Sequence, residues 1–139
     1  MSKFVVFFVV VFLGISCQQL PPEAKFIEEN KISGVIKIDS KIESKCKGFL
    51  FIIVRSMDSN QPLVVKRIKN PSYPYSFTVS PADVMIESNL SLFKGDLILH
   101  VKTSKSGNPF EDGRYCDSEA KILKSGISEL EIVLNNYRE

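Results

Sequence analysis

From Lys31 onward, apolar residues return at every second position, and that period of two constrains the fold more than any other feature of the chain. A strand turns successive side chains to opposite faces, so such alternation marks a half-buried β-strand. Ile32, Gly34, Ile36 and Ile38 alternate with Lys31, Ser33, Val35 and Lys37. Phe49–Val54 is an unbroken apolar run and reads as a central strand covered on both faces. Leu63–Ile68 follows Pro62, which stands where a missing N–H does least harm. Tyr75, Phe77 and Val79 alternate with Ser76 and Thr78. Leu97, Leu99, Val101 and Thr103 alternate with Asp96, Ile98, His100 and Lys102. Leu130, Ile132 and Leu134 close the series against Glu129, Glu131 and Val133, and Leu90 with Leu92 predicts one further short strand.

Between these strands, Ser80-Pro81-Ala82-Asp83 is a helix start. Ser80 can cap, Pro81 suits the first helical position and Asp83 complements the helix dipole, giving a turn or so that ends near Glu87. Ser104–Cys116 reads as a loop punctuated by Gly107, Pro109 and Gly113. About seven short strands with one short helix predict an all-β antiparallel sandwich over residues 31–139. Its expected core is Ile36, Ile38, Leu50, Ile52, Val54, Val65, Phe77, Leu97, Leu99, Val101, Leu130, Ile132 and Leu134.

The first residues carry an address. Phe4–Leu13 is a run of ten apolar residues after Lys3, too short for the roughly 20 residues of a spanning helix and the right size for a signal-peptide core. Gly14-Ile15-Ser16-Cys17 then resembles the lipobox of bacterial lipoproteins, although leucine stands at position 13, one place early. Residues 1–16 are therefore expected to be a removable signal. Cys17 is expected to become the lipid-bearing (palmitate included) first residue, and residues 17–30 a tether. Ordinary secretion and an uncleaved anchor are the competing readings, and all three place the body outside the cytoplasm. Pro21-Pro22 and the charges of Glu23, Lys25, Glu28 and Glu29 suit a spacer, with Ala24–Glu29 able to form a helical turn.

Removal of the signal leaves about 120 residues, one domain's worth. The whole chain has 18 basic and 16 acidic residues, so no strong attraction to nucleic acid is implied. Besides Cys17 there are two cysteines, Cys46 and Cys116. In an exported domain that pair is expected to form a disulfide, the alternative being two separate thiols.

Candidate chemistry is sparse. His100 is the one histidine, and its parity on the strand sets it opposite Leu97, Leu99 and Val101, as a sheet-surface residue rather than part of a Ser/His/Asp site. One histidine cannot supply a blue-copper site, and cysteine and histidine are too few for zinc. Met57 and Met85 are expected to pack rather than ligate. Glu129 and Glu131 read as a solvated face. Glu111 and Asp112, with Asp117 and Glu119 nearby, read as a soluble acidic loop with weak calcium binding as the alternative. Lys66, Arg67 and Lys69 form a small basic surface cluster, and Asn89-Leu90-Ser91 matches a glycosylation sequon of no consequence in a bacterium. No catalytic, metal or cofactor-binding residue is assigned.

Ser104-Lys105-Ser106-Gly107-Asn108 begins an ordered set of segments. The others are Ser33-Gly34-Val35-Ile36, Leu50-Phe51-Ile52-Ile53-Val54-Arg55, Pro62-Leu63-Val64-Val65-Lys66-Arg67-Ile68, Tyr75-Ser76-Phe77-Thr78-Val79, Asp83-Val84-Met85 and the strand before Ser104. In this order and spacing they resemble the immunoglobulin-like C-terminal domain of the CycH/CcmI family of c-type cytochrome maturation, over roughly residues 32–134. The resemblance implies an immunoglobulin-like β-sandwich on the outer side of the membrane. It also implies an adaptor or chaperone that helps deliver apocytochrome to the haem-ligation machinery, without enzymatic activity. Family members usually carry membrane helices and tetratricopeptide repeats ahead of this domain. Here a lipoprotein-like signal and tether stand in that place. The segment after Asn108 also departs from the family, reading Pro109-Phe110-Glu111-Asp112-Gly113-Arg114-Tyr115-Cys116.

The expected function is that of a membrane-tethered, non-enzymatic envelope lipoprotein, a protein-binding accessory module for c-type cytochrome maturation. The alternatives are a stand-alone periplasmic or surface lipoprotein with an unrelated partner, and a metal- or small-ligand-binding protein.

Overall fold

The alternating segments become strands: β1 (Ile32–Ile38), β2 (Phe49–Ser56), β3 (Pro62–Lys69), β4 (Tyr75–Val79) and β5 (Asp96–Ser104). Three short ones and the last long alternation follow: β6 (Tyr115–Asp117), β7 (Lys121–Lys124), β8 (Leu130–Leu134) and β9 (Asn136–Arg138). This computed structural model describes residues 21–110 and 113–139. The expected signal (residues 1–16), the lipidation residue Cys17 and the acidic pair Glu111 and Asp112 lie outside the described residues.

The strands form two sheets. The three-stranded sheet has the order β4-β1-β8, with β1 antiparallel to β4 and parallel to β8. The six-stranded sheet has the order β3-β2-β5, with β6 and β7 both along the far side of β5 and β9 outside β6. Gly34 permits the close parallel pairing, since a Cβ there would run into the Leu130 carbonyl. On one side the chain itself joins the sheets, passing from β8 to β9 at Asn135. On the other, the Lys66 Nζ donates to the Thr78 carbonyl at 2.8 Å, so a β3 side chain occupies an acceptor of the exposed β4 edge. A lysine on an edge strand also discourages pairing with another chain.

Inward residues of both sheets make one core. Ile32, Ile36, Ile132 and Leu134 from the three-stranded sheet, and Leu50, Ile52, Val54, Leu97, Leu99 and Val101 from the other, are fully buried. Ile38 and Leu130 from the expected core are partly buried against it. Val65 is not part of it. The register slips between Val54 and Arg55, so Leu63 and the adjacent Val64 both turn inward and Val65 pairs with Ile53 on the outer face. Phe93, which belongs to no alternating run, is fully buried and joins the core.

Other expectations are corrected locally. Leu90 and Leu92 lie in a 3₁₀ helix, Glu87–Leu92, not a strand. The helix expected from Ser80 is a single 3₁₀ turn, Pro81–Asp83, held by a reciprocal cap: the Ala82 N–H donates to Ser80 Oγ and the Ser80 N–H to Asp83 Oδ2. Met57 and Met85 are exposed rather than packed. The stretch read as loop through Cys116 gives up its end to β6. The second half of the expected tether is a helix, α1 (Pro22–Glu29), which packs against the Pro81–Asp83 turn. It is fastened at its end, where Ser125 Oγ donates to Asn30 Oδ1 at 2.6 Å and Gly126, at φ +84°, leaves room for the Glu29 carbonyl.

Cys46 and Cys116 form a disulfide, with Cα atoms 5.5 Å apart and both residues buried. It joins the segment ahead of β2 to β6, closing a sequence separation of 70. A structural disulfide is characteristic of oxidising compartments and agrees with a body outside the cytoplasm.

Two outcomes follow. Replacing both cysteines, Cys46→Ser with Cys116→Ser, should lower unfolding stability by about 4 kcal/mol through loop-closure entropy, read as a shifted denaturant midpoint. Burial, reinforced by the Glu43 carboxylate, pushes the Tyr73 phenol up to about 12 from 10.0. Because the folded value lies above the unfolded one, this contribution to stability is whole below pH 10.0 and is lost as the pH rises towards about 12. Ultraviolet titration should therefore show a late phenolate step that Tyr73→Phe removes.

Candidate functional site

β5 places Ile98, His100 and Lys102 on the outer face of the six-stranded sheet, because their neighbours Leu97, Leu99 and Val101 are committed to the core. Asp117 of β6 pairs with Lys102 and so lies on the same face, as does Arg138 of β9 opposite Tyr115. Register thus gathers side chains from three strands. His100 Nε2 lies 3.2 Å from Asp117 Oδ2, and Arg138 Nε donates to that same oxygen at 2.9 Å. The Asp117 side chain is only 4% exposed, so its charge is desolvated and held by the two bases around it. Its other oxygen, Oδ1, is buried without a hydrogen-bond partner among the described residues.

Aromatic and cationic groups border this cluster. Lys102 Nζ stands 4.4 Å from the centre of the Tyr115 ring, and the Arg67 guanidinium 4.9 Å from that of Phe49. Beside His100 is a depression of about 270 Å³. Ile53 and Ile98 are among its apolar lining residues, His100, Arg55 and Lys102 among its polar ones, and Pro109 and Phe110 of the β5–β6 connection line it as well. Phe110 is 67% exposed. Such a lining can take an apolar group together with a hydrogen-bond acceptor or an acid.

The expected residues are distributed as follows. Cys46 and Cys116 are brought together. His100 lies on the sheet surface, as its parity required, with Asp117 as its described partner. Asp117, expected beside an acidic loop, instead ends β6, and its Oδ2 is engaged by His100 and Arg138. Glu119 is exposed. Glu131 pairs with Lys37 at 3.2 Å across the outer face of the three-stranded sheet. No group of three metal-ligating side chains occurs among the described residues. Arg138 escaped the sequence reading because β9 is three residues long, too short to show a period.

Arg138→Ala should leave Asp117 with one base at a buried position and cost about 1–3 kcal/mol of unfolding stability. Lys37→Ala, which breaks an exposed pair, should cost at most about 1 kcal/mol in the same assay.

No family model matches the chain, and no solved structure matches it. A protein of Aquifex aeolicus (strain VF5), described as an uncharacterized protein, is 30% identical over 145 residues, spanning 89% of this chain and 95% of the relative. With identity at that level over nearly the whole of both chains, this chain belongs to the same family as the Aquifex protein.

Proposed function

We propose that this chain is a membrane-tethered, non-enzymatic accessory module outside the cytoplasm that binds a protein partner through the outer face of its six-stranded sheet. One observation carries the reading. The depression beside His100 combines an apolar lining with the positive charges of Arg55 and Lys102, and exposed Phe110 stands beside it. A buried aromatic or aliphatic anchor with polar groups around it is the usual centre of a protein-binding patch. The tether is the lipid that a lipobox-like Gly14-Ile15-Ser16-Cys17 would place on Cys17. The disulfide supports the compartment that such a lipid implies.

The partner class comes from the resemblance to the CycH/CcmI domain: apocytochrome c, or a component of the haem-ligation machinery. The two-sheet packing is compatible with an immunoglobulin-like sandwich. The strand order is its own, since β1 pairs with β4 and β8 whereas the first strand of the constant-type immunoglobulin sandwich pairs with the second.

The test is binding of the purified mature chain to a peptide carrying the Cys-x-x-Cys-His haem-attachment sequence. Saturable binding is expected, weakened at least tenfold, about 1.4 kcal/mol, by Phe110→Asp. Val133→Asp, on the opposite face of the sandwich, should leave it unchanged. Absence of binding to the peptide and to purified haem-ligation components would end the cytochrome assignment. An equal effect of both substitutions would remove the site from this face.

A further inference from the structure

Among the described residues, eight large apolar side chains are exposed, and five of them sit at one end of the sandwich: Met57, Met85, Ile86, Leu92 and Ile127. Topology brings them together. Ser56 pairs with Leu97 and Arg55 with Pro62, so the end of β2 lies beside the starts of β3 and β5. Ile32 pairs with Val79 and Gly34 with Leu130, so the start of β1 lies beside the end of β4 and the start of β8. The connections leaving those points carry the five residues. They are held in place rather than frayed. The Met85 N–H donates to the Leu63 carbonyl at 2.9 Å, buried Phe93 follows Leu92, and the Ile127 carbonyl accepts from Ser33 at 3.1 Å. Apolar groups fixed in this way and grouped at one place mark a surface that something covers.

The position of α1 identifies the occupant. The helix packs against the Pro81–Asp83 turn and its end lies against Gly126, so it belongs to this same end of the body. Only the residues before Pro22 are left to act as a spacer. From Cys17 to Pro21 the chain can span at most ~14 Å even when fully extended. Eight helical residues add no more than ~12 Å. A lipid on Cys17 therefore holds this end of the sandwich, and not the face carrying His100, next to the bilayer, at a high local concentration.

We infer that this end docks on the membrane surface, with Met85, Ile86 and Leu92 reaching the acyl boundary. The inference rests on lipidation of Cys17 as proposed above. Lys31, Lys94 and Lys124 are outnumbered at that end by Asp58, Glu87, Asp96 and Glu129, all exposed, so the contact is apolar and needs neither anionic lipid nor low salt. It leaves the outer face of the six-stranded sheet open to a partner.

The chain has no tryptophan, so a single introduced one is a clean reporter. Full-length lipidated protein bearing Ile86→Trp or Leu92→Trp is reconstituted into zwitterionic phosphatidylcholine vesicles with and without brominated acyl chains. Ile122→Trp, on a sheet face, is the comparison. Docking predicts blue-shifted emission and loss of most of its intensity with bromolipid at positions 86 and 92, and neither at 122. The mass of the N-terminal fragment, read on the same samples, separates the two ideas. An unmodified Cys17 overturns the tether and the docking together. A lipidated Cys17 with no quenching at 86 and 92, or with equal quenching at 122, overturns the docking alone. A blue shift at 86 and 92 without vesicles assigns the patch to a second copy of the chain and equally overturns it.

Discussion

The architecture depends on burial of apolar surface between two sheets of unequal width. Ile32, Ile36, Ile132 and Leu134 press against Leu50, Ile52, Val54, Leu97, Leu99 and Val101, and all are fully excluded from water. Each such side chain contributes on the order of 1.5–3 kcal/mol relative to exposure, which makes this layer the dominant favourable term in folding. Three strands alone cannot cover the inner face of a six-stranded sheet. Phe93 and Leu63, arriving from connections and from the bulged strand β3, complete the layer. The disulfide and the docked helix α1 fasten connections around that core.

The same commitment of inward residues creates the outer face. Once Leu97, Leu99 and Val101 turn in, Ile98, His100 and Lys102 must turn out. Asp117 and Arg138 reach that face because β6 and β9 stack beyond β5 in register. A desolvated carboxylate between two bases is a rigid element, costly to disturb from either side. It fixes the edge of the depression beside His100, so the candidate binding surface is built on strands and not on connections alone. One end of the molecule carries the docked helix α1, while the broad sheet face carries the charged and aromatic groups.

Much of this was legible because a strand has a short, strict period. Ile32–Ile38 and the alternations around Leu99 and Ile132 read correctly, and parity alone set His100 on the outer face. The errors have separate local causes. Leu90 and Leu92 mimic a period of two within a 3₁₀ helix, where side chains three apart nearly eclipse. Val65 failed because a bulge changes parity without any residue that announces it. Strands β6, β7 and β9 have only three or four residues; β6 and β7 exist because β5 offers unpaired backbone groups along its edge, and β9 adds to β6 in the same way.

By itself the sequence determined the class of fold, the inward face of most of the long strands and the candidacy of Cys46 with Cys116. These follow from local chemistry: period, turn residues and cysteine count. Tertiary structure alone decided which strand lies beside which, that Asp117 meets His100 and Arg138, that Pro22–Glu29 is docked rather than a free spacer, and that the exposed apolar residues gather at one end. Each of those depends on residues distant along the chain being brought together by burial of the core, and no local pattern encodes such a meeting.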